Sequence, residues 1–116
     1  TNWQSIMVHG DDTQSSVSQD NDHDTTSGRL PLIKGIHQYN TDQRIMGEIT
    51  IWNLNNSHWT YVKSTFLNNY FSTRLAFTET YAQLRSTTAF NAFKFTNFYG
   101  EQDFSGGHIT VYGIGD

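Results

Sequence analysis

Residues 45–54 read IMGEITIWNL, which is the most regular alternation of apolar and polar side chains in the chain. Ile45, Ile49 and Ile51 fall on one side of an extended backbone, and Glu48 and Thr50 fall on the other. A period of two residues is typical of a strand with two unlike faces. The segment therefore predicts an interior β-strand and sets the fold class expected for the rest of the chain.

Segments on both sides of this strand also predict strands, separated by turns rich in Asn, Ser and Gly. Residues 73–85 fit a helical stripe about as well as a strand, and the strand is favoured because β-branched Thr is weak in helices. The whole pattern predicts an all-β fold, specifically an antiparallel β-sandwich that resembles a jelly roll. The other predicted strands occupy residues 3–10, 30–39, 58–67, 90–98 and 108–114, with turns at 55–57, 68–70 and 86–88.

Size and composition predict one domain over residues 1–116, because this length is ordinary for a single hydrophobic core. Residues 11–29 contain one aliphatic side chain, Val17, and all five of the aspartates that precede Arg29. Such a stretch buries too little apolar surface to offset its ordering entropy. We therefore predict that residues 11–29 form a long acidic loop or arm.

Charge, cysteine content and hydropathy argue against several kinds of partner, cross-link and binding site. The formal net charge is −4 and no basic stripe is visible, so no nucleic acid is expected as a partner. The absence of cysteine excludes disulfides and thiolate metal sites. No apolar run approaches the roughly 18 residues of a membrane span, so no membrane insertion is expected. No cofactor is expected either.

Asp20, Asp22 and Asp24 are spaced like the first ligands of a calcium-binding loop. The complete template fails, because Thr25 stands where the loop needs glycine and Pro31 where it needs glutamate. These residues are a weak calcium candidate, and the favoured interpretation is carboxylates that repel one another in solvent. The five histidines lack the spacing of a zinc site.

Aromatic residues surround the predicted turn at 55–57, namely Trp52, His58, Trp59 and Tyr61. Aromatic rings beside Asn side chains are typical of sugar-binding sites, because a ring stacks on the apolar face of a pyranose. The alternative is that these rings belong to the core or to a subunit interface, and this alternative is favoured.

Catalytic residues are not indicated by any spacing in the chain. A carboxylate pair for glycoside cleavage could in principle come from Glu48, Glu79, Glu101 or Asp103, but nothing in the sequence links two of them. The chain also lacks the Gly-x-Ser-x-Gly turn that holds a serine nucleophile. A non-enzymatic protein is therefore predicted.

Glycines bracket the last predicted strand. Gly106 and Gly107 permit the positive φ of a turn or bulge just before it. Gly113 lies inside the strand pattern and predicts the close approach of another backbone or a large ring. We interpret all of these glycines as structural, because they are remote from any strand-to-helix junction that could hold a phosphate.

Residues 81–114, YAQLRSTTAFNAFKFTNFYGEQDFSGGHITVYGI, resemble the C-terminal half of a domain common in tailed-phage virion proteins. That family includes tail fibres, tailspikes and head-surface proteins, and GEITIWN at 47–53 is similar to its mid-domain strand. The resemblance covers about 60–70 residues, and residues 1–44 depart from it. The matching residues are Phe104, Ser105, Gly106, Gly107, Ile109, Val111, Tyr112, Gly113 and Ile114, with Ala89, Phe93 and Phe95 upstream.

This resemblance implies a non-enzymatic structural protein on the outer surface of a virion, as a head decoration or a tail component. It also implies a homotrimer that contacts other virion proteins. The alternative function is a carbohydrate-binding module that recognises a host-surface glycan through exposed aromatic residues. A hydrolase of surface polysaccharide is the third hypothesis.

Overall fold

The structure is a computed structural model that describes residues 3–22, 29–34, 44–54, 57–70, 74–90, 92–96 and 106–113. Its regular secondary structure in these residues is entirely β and antiparallel, as the sequence predicted. The five strands of the described residues are β1 (Trp3–Asp11), β2 (Ser18–Asp22), β3 (Ile45–Trp52), β4 (Thr60–Tyr70) and β5 (Arg74–Leu84). They form one sheet in the spatial order β2-β1-β5-β4-β3, so β5 lies at its centre. The prediction that β3 is an interior strand is wrong, because β3 lies at an edge of this sheet.

A second sheet, which a sandwich or jelly roll requires, is not formed by the described residues, so the finer architecture stays a prediction. The described parts of three predicted strands, 30–34, 92–96 and 108–113, are not strands in the structure. Alternation of side chains shows only that a segment can be extended. A strand also needs a neighbour for its backbone N–H and C=O groups, and local sequence does not specify that neighbour.

Two boundaries also differ from the sequence prediction. The predicted turn at 68–70 is wrong, because β4 continues to Tyr70 and its Asn68 pairs with Ala76 of β5. Asn favours turns when its backbone is free, but the cross-strand ladder with β5 outweighs that preference here. Within residues 11–29, where a loop or arm was expected, β2 pairs with β1 along the sheet edge. An edge strand needs only backbone groups on one side, so polar side chains do not prevent it.

The core lies on one face of the sheet. From Ala76 to Leu84 every second side chain of β5 is buried there, and Leu84 is only 3% exposed. Met7 and Val62 from the flanking strands lie on the same face. Much of this face is nevertheless polar, since Ser5, Thr60, Ser64, Asn68, Thr78 and Thr80 are buried on it. Lys34 lies over it, because its backbone N–H donates a hydrogen bond to Thr78 Oγ1 at 3.1 Å.

The opposite side of the sheet, called the open face from here on, remains largely accessible. Ile6, Tyr61, Leu67, Leu75 and Tyr81 are each between 42% and 54% exposed on it. The same alternation that buries one set of residues therefore leaves an aromatic and aliphatic set uncovered. The open face is where the structure offers a binding surface.

Candidate functional site

Two cross-strand rows of side chains define the polar end of the open face. In the first, Tyr61 of β4 stands between Trp52 of β3 and Gln83 of β5, and Gln83 stands opposite Gln4 of β1. Neighbouring side chains in such a row have Cβ atoms about 5 Å apart. The second row, one step along the strands, consists of Thr50, Lys63, Tyr81, Ile6 and Asn21.

Polar contacts hold several of these side chains in place. Gln83 Nε2 donates a hydrogen bond to Gln4 Oε1, which links β5 to β1. The Tyr81 hydroxyl donates to Glu79 Oε2 at 3.1 Å, and Lys63 Nζ lies 5.8 Å from the centroid of the Tyr81 ring. The hydrogen bond to Glu79 and the negative charge of that carboxylate raise the pKa of Tyr81.

A shallow depression lies between these rows, with a volume of about 460 Å³. Its walls combine two tyrosine rings with side-chain amides, and no ionised side chain lines it among the described residues. Such a surface can stack on an apolar ring and exchange hydrogen bonds with hydroxyl groups. Its principal lining residues are Gln4, Ile6, Asn21, Tyr61, Tyr81 and Gln83.

The structure brings together two of the four aromatic residues that were candidates for sugar binding. Trp52 and Tyr61 are direct cross-strand neighbours on the open face. Trp59 is stacked instead against Arg85, whose guanidinium carbon lies 5.0 Å from the ring centroid, and His58 is exposed at the preceding bend. Gln4, Tyr81 and Gln83 were missed by the sequence argument, because only strand register places them beside Tyr61.

The candidate calcium residues lie in and beyond β2. The Asp20 carboxylate is paired with the Lys34 ammonium group, and its Oδ2 is 3.2 Å from His9 Nε2. Asp22 is the last residue of β2, and Asp24 lies outside the described residues. Across the part of the chain that the structure describes, no three His, Asp or Glu side chains form a group that could hold a metal ion.

The candidate catalytic carboxylates are also partly located. Glu48 and Glu79 lie in one row of the open face with Thr65 between them, which places their backbones two strand spacings, or about 10 Å, apart. Glu101 and Asp103 lie outside the described residues.

The glycines before the last predicted strand differ in conformation. Gly107 has a φ of 111°, a left-handed conformation that favours glycine, directly after the bend at Gly106. A Cβ added at Gly106 or Gly113 would meet no described atom within 4 Å. The close approach predicted at Gly113 is therefore not seen among the described residues.

The ion pair at Asp20 predicts a pH-dependent stability. The hydrogen bond from Lys34 is the main reason that the pKa of Asp20 lies below its usual 3.8, with the charge of His9 adding to it. A lowered carboxyl pKa stabilises the fold above the unfolded-state value, and that contribution is lost as the pH falls through the folded-state value. We expect Asp20→Asn to lower the urea midpoint at about pH 7 and to lower it by less at about pH 2, because protonation of Asp20 in the wild type removes the ion pair.

The control for this prediction is Asp12→Asn, which changes an exposed carboxylate in the turn after β1. Urea unfolding followed by circular dichroism at both pH values measures all three proteins. A constant difference between wild type and Asp20→Asn across the pH range would contradict the role of the ion pair.

Compared with protein-family models, curated proteins and solved structures, the chain matches none of them. Among the described residues there is no helix long and apolar enough to cross a membrane. The class defined by the fold and the site is thus an all-β protein with an open aromatic face on an antiparallel sheet.

Proposed function

We propose that this protein is a non-enzymatic structural component of a tailed-phage virion, located on the outer surface of the head or tail. It assembles with copies of itself as a homotrimer and contacts other virion proteins. The observation that carries this proposal is the exposure of the C-terminal segment 106–113, the same segment that bears the resemblance to virion proteins. The all-β fold is compatible with it.

The C-terminal segment leaves large apolar side chains in solvent. Ile109 is 69% exposed, Val111 68% and Tyr112 83%, and the segment belongs to no strand of the sheet. Ile109 and Val111 alternate with polar or aromatic neighbours, so the segment can form a strand as soon as a sheet edge accepts it. Clustered exposed apolar side chains of this kind mark interaction surfaces.

A suitable sheet edge lies on the same chain. β3 is the last strand of the sheet and pairs only with β4, so the backbone groups of its outer edge have no strand partner among the described residues. Its Ile45 and Met46 are exposed, whereas the other edge, β2, carries Asp20 and Asp22. Addition of the C-terminal segment of one copy to β3 of the next is a head-to-tail contact, which forms a closed trimer when the rotation between copies is a third of a turn.

Sedimentation of the full chain tests this assembly. We expect wild type to sediment as a trimer and Val111→Asp to sediment as a monomer, because a charge cannot be buried unpaired in the new strand pair. The control is Val17→Asp, which introduces the same charge at a 60% exposed valine between β1 and β2. The Val17→Asp protein should remain trimeric. A monomeric wild type, or equal loss of assembly in both variants, would overturn the proposed contact.

The virion location needs a separate experiment. An antibody raised against the purified chain should label the outer surface of intact phage particles from the same source in electron micrographs. Labelling confined to the head or to the tail would also distinguish the two sites. If the antibody recognises the chain in lysates and labels no particle, the virion assignment is wrong.

A further inference from the structure

We propose that the depression on the open face binds a neutral hexopyranose chain, with one sugar ring stacked on Tyr61 and hydrogen-bonded by the amides of Gln83, Gln4 and Asn21. This function is independent of the proposed assembly, because the depression and the C-terminal segment share no residue.

The shape of the depression fits one or two sugar units. Its volume of about 460 Å³ falls within the usual range of small-molecule sites. Tyr61 is 44% exposed, so much of its ring is accessible to a ligand. Strands are spaced about 4.8 Å apart, which is close to the width of a pyranose ring. Trp52, the next residue in the row, is 47% exposed and offers a second ring for an adjoining sugar.

The polar groups match sugar hydroxyls, which both donate and accept hydrogen bonds. A side-chain amide has an acceptor oxygen and two donor hydrogens, so adjacent hydroxyls of a sugar can pair with both ends of it. Gln83 uses Nε2 in its bond to Gln4, and its Oε1 can accept a bond from a ligand hydroxyl. Asn21 lies opposite Ile6 at the far wall and accepts a 3.0 Å hydrogen bond from Gln19 Nε2.

Existing contacts limit the rearrangement needed on binding. The Tyr81 hydroxyl is held by Glu79, and Lys63 lies near its ring, so this wall of the depression is already positioned. The Gln83–Gln4 hydrogen bond positions two amides across the boundary between β5 and β1. Groups that are ordered before binding lose less conformational entropy when the ligand arrives.

The charge distribution favours a neutral ligand. The principal lining residues are all uncharged, and the flanking Lys63 and Glu79 have opposite charges. An acidic sugar would need an unpaired cation in the depression, and a phosphate would need a cluster of them. The depression is therefore suited to hexoses without carboxylate or phosphate groups.

Titration with cellohexaose, maltohexaose and β-1,4-mannohexaose tests this site. We expect at least one of them to shift the NMR signals of the side-chain amides of Gln4, Asn21 and Gln83 and to change the intrinsic fluorescence. Tyr61→Ala and Gln83→Ala should each weaken that binding by about 10-fold or more, because each removes one main interaction. Tyr61→Phe keeps the ring and should retain most of the affinity.

The matched control is Leu67→Ala, which removes a 47% exposed side chain from the apolar end of the same face. It should leave the affinity unchanged, and amide spectra of all variants would verify folding. The Val111→Asp protein, which we expect to be monomeric, should bind each sugar as wild type does, and this result separates the binding test from the assembly test. No binding to any of the three hexaoses at millimolar concentration, or equal binding by Tyr61→Ala, would overturn the proposal.

Discussion

Replacement of Leu84 by alanine is expected to lower the free energy of unfolding by about 2–5 kcal/mol. Leu84 ends the central strand β5, is 3% exposed, and stands between Trp3 of β1 and Thr60 of β4. The substitution removes buried methyl groups and leaves a cavity that three hydrogen-bonded strands cannot easily fill. Because small domains are stable by only about 5–15 kcal/mol, this loss is a large share of the total.

The control for Leu84 lies on the same strand. Leu75→Ala makes the same chemical change at a residue that is 54% exposed on the open face, so we expect a loss well below that of Leu84→Ala. Urea unfolding monitored by Trp fluorescence measures both variants. Equal losses would mean that the two faces of β5 are buried alike, which would contradict the assignment of the core to one face.

Gly47→Ala is the second change with a large expected effect, a loss of about 1–3 kcal/mol in the free energy of unfolding. Gly47 of β3 pairs with Phe66 of β4, and a Cβ added there would lie 2.5 Å from Phe66 Cδ1 and closer still to the carbonyl oxygen of Thr65. A ring can turn aside, but a main-chain oxygen in a paired strand cannot. The two strands must therefore separate locally.

Destabilisation by alanine at Gly47 is the opposite of the usual effect of this substitution in a strand. Elsewhere in a strand, alanine stabilises by roughly 0.5–1 kcal/mol relative to glycine, because glycine loses more backbone entropy on folding. Gly106→Ala is the control, since a Cβ there meets no described atom within 4 Å. A Gly47→Ala protein as stable as wild type in urea unfolding would show that β3 does not approach β4 as closely as the structure has it.

The sequence correctly predicted those structural features that depend on residues close together in the chain. It predicted the strands at β1, β3 and β5 and which side chains share a face: Met7 is 5% exposed and Ile6 is 47% exposed, as alternation along β1 requires. It also placed Trp52 and Tyr61 together near one hairpin. Each of these predictions depends on residues a few positions apart, for which the two-residue period of an extended chain fixes the geometry.

The candidate site could be predicted only in part for the same reason. Tyr61 lies beside Gln83 and near Gln4 because β5 inserts between β4 and β1, and no pattern in the chain specifies that order. Asn21 reaches the depression through β2, a strand without the apolar alternation that predicts one. The chemistry of each side chain was visible in the sequence, but their proximity was not.

The sequence by itself thus determined the β character of this protein and which side chains share a face along its main strands. The tertiary structure alone decided that β5 is central, that β4 extends through 68–70, and that aromatic and amide side chains from four strands meet on the open face. The physical reason is that extension and alternation are local properties of the backbone, whereas strand pairing is a choice among distant partners made by the free energy of the whole sheet.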